Sequence, residues 1–520
     1  MRYPKPSYIY TLINFLAILL LSCEGSAPKN KAAFVLQADA FEHYATYFNT
    51  MEDENIVQAV PNSEAWSWMK KNIPLFACPQ KNVEEIYYFR WWSLRKHIKN
   101  TPQGYGITEF LVNRSYADKY NLISCALGHH IYEFRWLQDD TYLNQNIHLW
   151  YRGHNQGPMQ KLYKFSSWTS DALYQRYLVN KDSSFLIDLH PDLVKDFSVW
   201  EHDRMRADGL FWQHDVKDGM EESLSGGRHV KNVRPTINSY MFANAKALSQ
   251  ISALAGDNKQ QVYFEQKAET IRHLVQDKLW NKTDQFFETL TENGTSSAVK
   301  EAIGFIPWYF NLPEKNKGYE VAWEQLLKEE GFSAPFGITT AERRSPRFRS
   351  HGTGTCEWDG AVWPFATSQT LTALANVLNN YDQNVISKAD YFKQLNLYVE
   401  AQYYRGRPYI GEYLDESTGY WLMGDRERSR YYNHSTFGDL IITGLVGLRP
   451  RDDEKIEVNP LIPPEKWDWF CLDNILYHGN IITIVWDKTG EKYNKGKGLN
   501  VFKNGKRIAS SDKLEKLISE

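Results

Sequence analysis

The chain has 520 residues, 42% hydrophobic and 24% charged, with 31 Gly and 20 Pro. That composition excludes disordered, collagen-like and disulfide-scaffold classes and leaves room for one large barrel with an appendage. Sixty basic residues against 63 acidic ones give a net charge of −3 with no Lys/Arg block, so a nucleic-acid partner lacks its electrostatic footprint.

In chain order, Arg2 and Lys5 precede an apolar run over residues 8–21 that is too short to span a bilayer comfortably and reads as a signal peptide. The run ends in Leu20-Leu21-Ser22-Cys23, which resembles the bacterial lipobox, in which the Cys is lipidated and becomes the new N-terminus. Residues 1–22 are therefore read as a lipoprotein signal peptide, Cys23 as the lipidation site and residues 23–32 as a polar tether. The expectation is a bacterial cell-envelope protein, periplasmic or cell-surface, that meets the membrane through its lipid anchor only. Cys78, Cys125, Cys356 and Cys471 form no Cys-x-x-Cys pair, which argues against structural zinc and leaves buried thiols or one disulfide open.

Helical patterns dominate residues 33–447. Residues 185–200 and 262–275 repeat apolar positions at spacings of three and four, as amphipathic helices do. Residues 239–255 and 366–378 are apolar all round and rich in Ala and Leu, as expected of helices buried between others. Long Gly- and aromatic-rich connections over 215–235, 332–364 and 405–436 separate them, and such loops in a compact domain usually carry function. From residue 448 the pattern changes: residues 481–486 and 499–509 read as strands, the second a hairpin across Asn504-Gly505. Residues 448–520 form a β-rich segment with too little core to stand alone; it packs on the helical body with Phe470 and Trp486 as anchors.

The chemistry is expected in the loops. Asp218-Gly219-Met220-Glu221-Glu222-Ser223 crowds three carboxylates, flanked by Trp212. Crowding and low dielectric raise a carboxyl pKa and hold it protonated as a general acid. Gly411-Glu412-Tyr413 places a second carboxylate far along the chain, suited to a general base. Glycosidic hydrolysis needs this division of labour, and the aromatic content, with 18 Trp, 32 Tyr and 26 Phe, suits stacking on sugar rings as well as filling a large core. Read in isolation, either loop is also a solvated acidic turn or a helix cap.

At these residues the chain resembles the six-hairpin glycosidases. The similar branch is mannosylglycerate-hydrolase-like and related to glycoside hydrolase families 63 and 37, the processing α-glucosidases and trehalases. The acid-loop pattern of that group fits residues 218–223 with Glu in place of Asp, which makes Glu221 the implied acid, with Glu222 and Asp218 as alternatives in the same loop. The substrate-lining pattern fits Trp358-Asp359-Gly360-Ala361-Val362-Trp363-Pro364, with Asp359 where Arg is usual and Ala361 where Pro is, departures that point away from α-glucosides. The base loop is similar to Glu412-Tyr413 followed by Thr418-Gly419, which makes Glu412 the implied base. Branch segments around residues 88–97, 128–136, 234–240, 341–344 and 432–436 carry the resemblance from about residue 42 to the end. It implies a mainly α protein, an (α/α)6 barrel with a small C-terminal β-rich domain, that cleaves a carbohydrate with inversion and without a cofactor.

Further substrate contacts are expected from Arg90 with Trp91, a donor fork beside a stacking face, with Trp92 turned into the core. Arg234 and Asn238, one helical turn apart, are expected to share a face toward substrate, alongside Asp218, Glu222, Asp359 and Tyr413. Arg234 is alternatively a structural partner of Glu221 or Glu222. His129-His130 lies outside any zinc-type spacing, and no Asp-x-Asp-x-Asp-Gly loop calls for calcium, so no metal is expected. Two other classes fit the residues: a polysaccharide lyase on a helical toroid, using Tyr or His as base, and an inert glycan-binding lipoprotein.

Overall fold

The computed structural model describes residues 35–349 and 355–519. The signal-peptide reading and Cys23 lie outside these residues. Among the described residues, no helix is long and apolar enough to cross a membrane.

The body is an (α/α)6 barrel. Its inner ring runs Leu127–Phe134, Thr169–Asn180, Pro235–Leu254, Ile306–Tyr309, Pro364–Asn380 and the π-helix Leu440–Leu445, each packed on the next. The outer elements alternate with these in sequence: Lys81–Arg95, Thr141–Arg152, Ser183–Arg204, Asn258–Lys278, Tyr319–Trp323 with Glu324–Leu327, and Lys388–Ala401. Chemistry at the helix starts explains the register. Pro235, Pro307 and Pro364 sit in the first turn of inner helices, where the missing N–H has no intrahelical partner to lose. Inner helices also approach closely. A Cβ on Gly128 would fall 2.2 Å from the Trp168 ring, so only glycine lets Leu127–Phe134 and Thr169–Asn180 pack as they do.

The ring closes through charge. The Glu133 carboxylate accepts backbone N–H groups of Phe437, Gly438 and Asp439 at 2.7–2.9 Å, satisfying donors at the start of the π-helix. Asp439 in turn takes Arg135 Nη2 at 2.6 Å and Trp136 Nε1 at 2.7 Å. These groups are all buried.

The four helices read from periodicity or apolar composition are present as Ser183–Arg204, Pro235–Leu254, Asn258–Lys278 and Pro364–Asn380. A five-stranded antiparallel sheet runs Leu75–Ala77, Trp469–Tyr477, Asn480–Asp487, Gly498–Lys503, Lys506–Ser511. Its last hairpin turns at Asn504 and Gly505, both at positive φ, as a type I′ turn requires. Phe470 and Trp486 are cross-strand partners and buried. The sheet draws its first strand from residues 75–77, some 400 positions upstream of its partner. Asp473 also accepts the N–H groups of Val35 and Leu36 at 2.6 and 2.9 Å. The β-rich segment is thus stitched to the start of the described chain. All four described cysteines are free thiols.

Candidate active site

A cavity of about 310 Å³ opens where the loops preceding the inner helices converge, lined by Glu109, Cys125, Glu221, Trp358, Trp363 and Glu412 among others. The acid and base candidates, more than 190 positions apart, share its wall.

Glu221 follows the short helix Asp215–Asp218, which ends at Gly219 with φ +75°; a Cβ there would meet Cys125 Sγ at 2.4 Å. Backbone freedom and lack of bulk are both needed for this turn. Arg234 staples the loop shut: it donates to Asp218 at 2.7 Å and to the hydroxyls of Ser223 and Ser225 at 3.3 Å, with Arg234 and Asp218 both fully buried. Glu221 is left at the cavity with its carboxyl pushed up to about 7, chiefly by burial, with Glu412 adding to the rise.

Glu412 is fixed from three sides. Its N–H donates to Ser429 Oγ at 3.0 Å, Arg428 Nη2 lies 2.8 Å from Oε2, and Val362 and Leu414 exchange two backbone hydrogen bonds at 3.0 Å that hold the base loop against the Trp363 segment. Burial raises the Glu412 carboxyl and the Arg428 cation opposes that rise. The two acids therefore differ in setting: Glu221 is governed by burial, Glu412 by burial against a paired guanidinium. Trp358, Trp363 and Tyr413 form a continuous stack, centroids 4.6 and 4.5 Å apart and planes within 22°. Trp358 and Trp363 face the cavity, and Tyr413 backs Trp363 with its hydroxyl donated to the Thr355 carbonyl.

The other sequence-derived candidates lie elsewhere. Arg90 is buried, donating to Tyr398, Gln402 and Ser435 at 2.6–3.1 Å. Trp91 is buried along with Trp92, against the expectation that only Trp92 would be core. The reason is that Lys81–Arg95, although an outer element, is covered on its far side by the helix Glu42–Asn49, so twelve of its fifteen residues are buried. Arg234 and Asn238 do not converge on the cavity. Arg234 takes Asp218 as its partner rather than Glu221 or Glu222, and Asn238 bonds the backbone of Phe211 in both directions at 2.8 Å. Trp212 lies beneath the cations of Arg204 and Lys231. Glu222 pairs with Arg228, and Asp359 with Arg349 at 2.5 Å, both bordering a separate surface depression.

Glu109, Arg428, Tyr432 and Cys356 are among the cavity residues to which the sequence reading gave no role in the site. Glu109 stands alone among Ile107, Phe110, Leu111 and Val112, and a single carboxylate in an apolar stretch was the signal available. His129 and His434 are fully buried and held uncharged by that burial; His434 lines the cavity and His129 does not. Among the described residues no group of three His, Cys, Asp or Glu side chains is placed to hold a metal ion.

Residues 119–435 match the model of the mannosylglycerate hydrolase MGH1-like glycoside hydrolase domain, and residues 448–509 that of the glycosyl hydrolase family 65 C-terminal domain. Among solved structures, a chain named sialidase is 62% identical over 93% of this chain with a TM-score of 0.92; this chain spans 45% of that longer one. A GH63 mannosylglycerate hydrolase from Thermus thermophilus, crystallised with glucose, is 15% identical with a TM-score of 0.52, covering 69% of this chain and 99% of its own. A GH78 rhamnosidase of Bacillus sp. GL1 is 10% identical with a TM-score of 0.58, covering 80% and 40% respectively. The last two are likenesses of fold alone.

Proposed function

Because this chain belongs to the mannosylglycerate hydrolase MGH1-like glycoside hydrolase domain family, we propose that it hydrolyses a glycosidic bond by single displacement, with Glu221 as general acid and Glu412 as general base. The observation that carries the reading is the unequal setting of two carboxyls on one cavity wall. Glu221, pushed up to about 7, keeps its proton for the leaving oxygen near neutral pH, while Arg428 favours the ionised form of Glu412 that draws a proton from water. The water attacks the face opposite the leaving group, so the anomeric configuration inverts.

Trp358, the outer ring of the stack that continues through Trp363 to Tyr413, offers the stacking face for a sugar ring, with Trp363 bordering the cavity beside it. A cavity of about 310 Å³ sits at the lower end of the ~300–1,000 Å³ common for ligand sites, which suits a short ligand. Both tyrosines that line the cavity, Tyr116 and Tyr432, are held above their usual range, chiefly by burial, which favours hydrolysis over elimination by a tyrosine base. In this proposal residues 33–447 carry the chemistry and residues 448–520 brace them. Cys23 carries the lipid that tethers the enzyme in the bacterial envelope.

The test is a panel of α- and β-linked di- and oligosaccharides digested by the protein and analysed by mass spectrometry, with Glu221→Gln and Glu412→Gln alongside. Hydrolysis lost in both variants is the expected result. Turnover that survives either substitution at more than a tenth of the wild-type rate overturns the assignment.

A further inference from the structure

Residues 50–61 form no helix or strand, yet two of their carboxylates are committed inward. Glu52 is a bridge: Oε1 lies 2.6 Å from Lys96 Nζ and Oε2 lies 2.6 Å from Arg430 Nη1, with the Glu52 side chain only 6% exposed. Glu54 lies 3.1 Å from the same Lys96 Nζ and accepts the Asn62 N–H at 2.9 Å. Asn55 Oδ1 accepts from Arg430 Nη2 at 2.7 Å, and the Met51 carbonyl accepts from Arg407 at 3.5 Å. Removing one partner of a buried ion pair leaves an uncompensated charge. The segment is therefore a strap, tied at one side to the end of the outer helix Lys81–Arg95 and at the other to the base loop.

Arg430 ends a tight turn that holds the base. The Ser429 N–H donates to the Arg426 carbonyl at 2.9 Å, and within that turn Ser429 Oγ takes the Glu412 N–H while Arg428 reaches Glu412 Oε2. The chain then reverses at Tyr431, a buried residue at φ +54°, a conformation that a bulky side chain keeps only where its surroundings impose it. Here the Tyr431 carbonyl accepts from His97 Nε2 at 2.6 Å, and its ring meets Trp92 edge-on at 5.2 Å. Arg430 is thereby turned to the strap while Tyr432 faces the cavity. Besides Arg428, the groups acting on Glu412 include Cys356, Arg114 and Arg426, and Glu412 itself acts on Glu221 and Glu109. Around Glu52 stand Lys96, Arg430 and Arg95.

Resting on the hydrolase reading, we propose that Glu52 is a positioning residue for the general base: by clamping Arg430 it sets the turn over residues 426–430 so that Arg428 lies against Glu412. The setting of the base thus depends on a carboxylate 378 positions upstream of Arg430, in a strap outside the cavity. Lys96 holds the other oxygen of Glu52 and belongs to the anchor rather than to the turn.

The ionisation of Glu412 tests this without requiring turnover. The full chain, isotope-labelled at its glutamate side-chain carboxyls, is titrated with pH by NMR, and the Glu412 resonance is assigned by its loss in Glu412→Gln. In Glu52→Gln the released turn lets Arg428 leave Glu412, so the Glu412 pKa should rise by about half a pH unit or more, about a threefold change in its ionisation constant. The sign is diagnostic, because losing the negative charge of Glu52 would by itself lower that pKa. Arg430→Met is the second variant, for the case that Glu52→Gln does not fold, and should give a rise of the same size. In an Arg428→Met background, where the cation is already absent, neither substitution should add a further rise. Lys96→Met controls for stability alone: it breaks the other buried pair of Glu52 and lowers Tm, yet should leave the Glu412 titration within about 0.2 pH unit of wild type. An unchanged or lowered Glu412 pKa in Glu52→Gln, an equal rise in Lys96→Met, or a rise in Arg430→Met that persists in full in the Arg428→Met background overturns the proposal. The hydrolase reading falls separately, if turnover survives in Glu221→Gln or Glu412→Gln.

Discussion

The two ends of the barrel hold cavities of opposite character. At the end where loops enter the inner helices, about 310 Å³ is lined by three acids, Glu109, Glu221 and Glu412, whose carboxyls are all displaced upward. At the other end, where those helices finish, about 510 Å³ is lined by two ion pairs, Arg135 with Asp439 and Arg451 with Glu457, and by one raised acid, Asp171, pushed up to about 6 by burial beside the Tyr132 hydroxyl. The larger space is the more electrostatically settled one, because more of its acids have a cation beside them. Volume therefore ranks these cavities wrongly, and uncompensated carboxyls rank them by their fitness for proton transfer.

The strongest way to break this comparison is to remove the acids one at a time. Glu221→Gln and Glu412→Gln should each lower kcat/KM by about 10²–10⁴, the range for loss of a general acid or base. Gln250→Ala, at the settled end, should leave kcat/KM within about twofold; equal losses at both ends would erase the distinction. The settled end should instead answer in stability. Asp439→Asn leaves the buried Arg135 without its counter-charge and should cost about 3–5 kcal/mol in urea unfolding, whereas Glu412→Gln should change stability far less.

A finer cut concerns Arg428. Arg428→Met removes the cation that favours ionised Glu412, so the Glu412 pKa rises and the acidic limb of the kcat/KM profile moves to higher pH. The alkaline limb, set by proton loss from Glu221 near 7, should stay where it is. Movement of the alkaline limb instead would exchange the two roles.

The smallest effect belongs to Glu109. Its folded pKa, about 8, exceeds the unfolded value, so the folded state binds the extra proton between about pH 4.5 and 8 and wild-type stability falls as pH rises through that window. Glu109→Gln has no such proton to lose. Its Tm relative to wild type should climb by a few degrees between pH 5 and pH 8.5, and a flat difference would show that burial does not set this carboxyl.

Much of the scaffold was legible in the sequence because helices write a period of 3.6 into it. Residues 185–200 and 262–275 could be placed from spacing alone, and Asn504-Gly505 specified its hairpin. The strand Leu75–Ala77 could not be read that way: three residues carry no period, and their pairing with residues 471–473 is purely tertiary. The proposed acid and base were reachable through motif context, whereas side-chain direction was not. Arg90 beside two tryptophans looks the same in sequence whether the guanidinium meets a sugar or, as here, Tyr398, Gln402 and Ser435. Arg428 was hidden for the opposite reason. In Arg426-Glu427-Arg428-Ser429-Arg430 it reads as solvated surface, and only the fold of the 405–439 loop brings it onto Glu412.

The central claim is single-displacement hydrolysis by Glu221 and Glu412, and the anomeric configuration of the first product tests it most directly. Proton NMR of the anomeric signals, recorded during early turnover of whichever glycoside the panel identifies, should show the inverted anomer forming first, with the signal lost in Glu221→Gln and Glu412→Gln. A first product that retains its configuration would contradict the account, because it requires Glu412 to bond covalently to the sugar rather than to activate water.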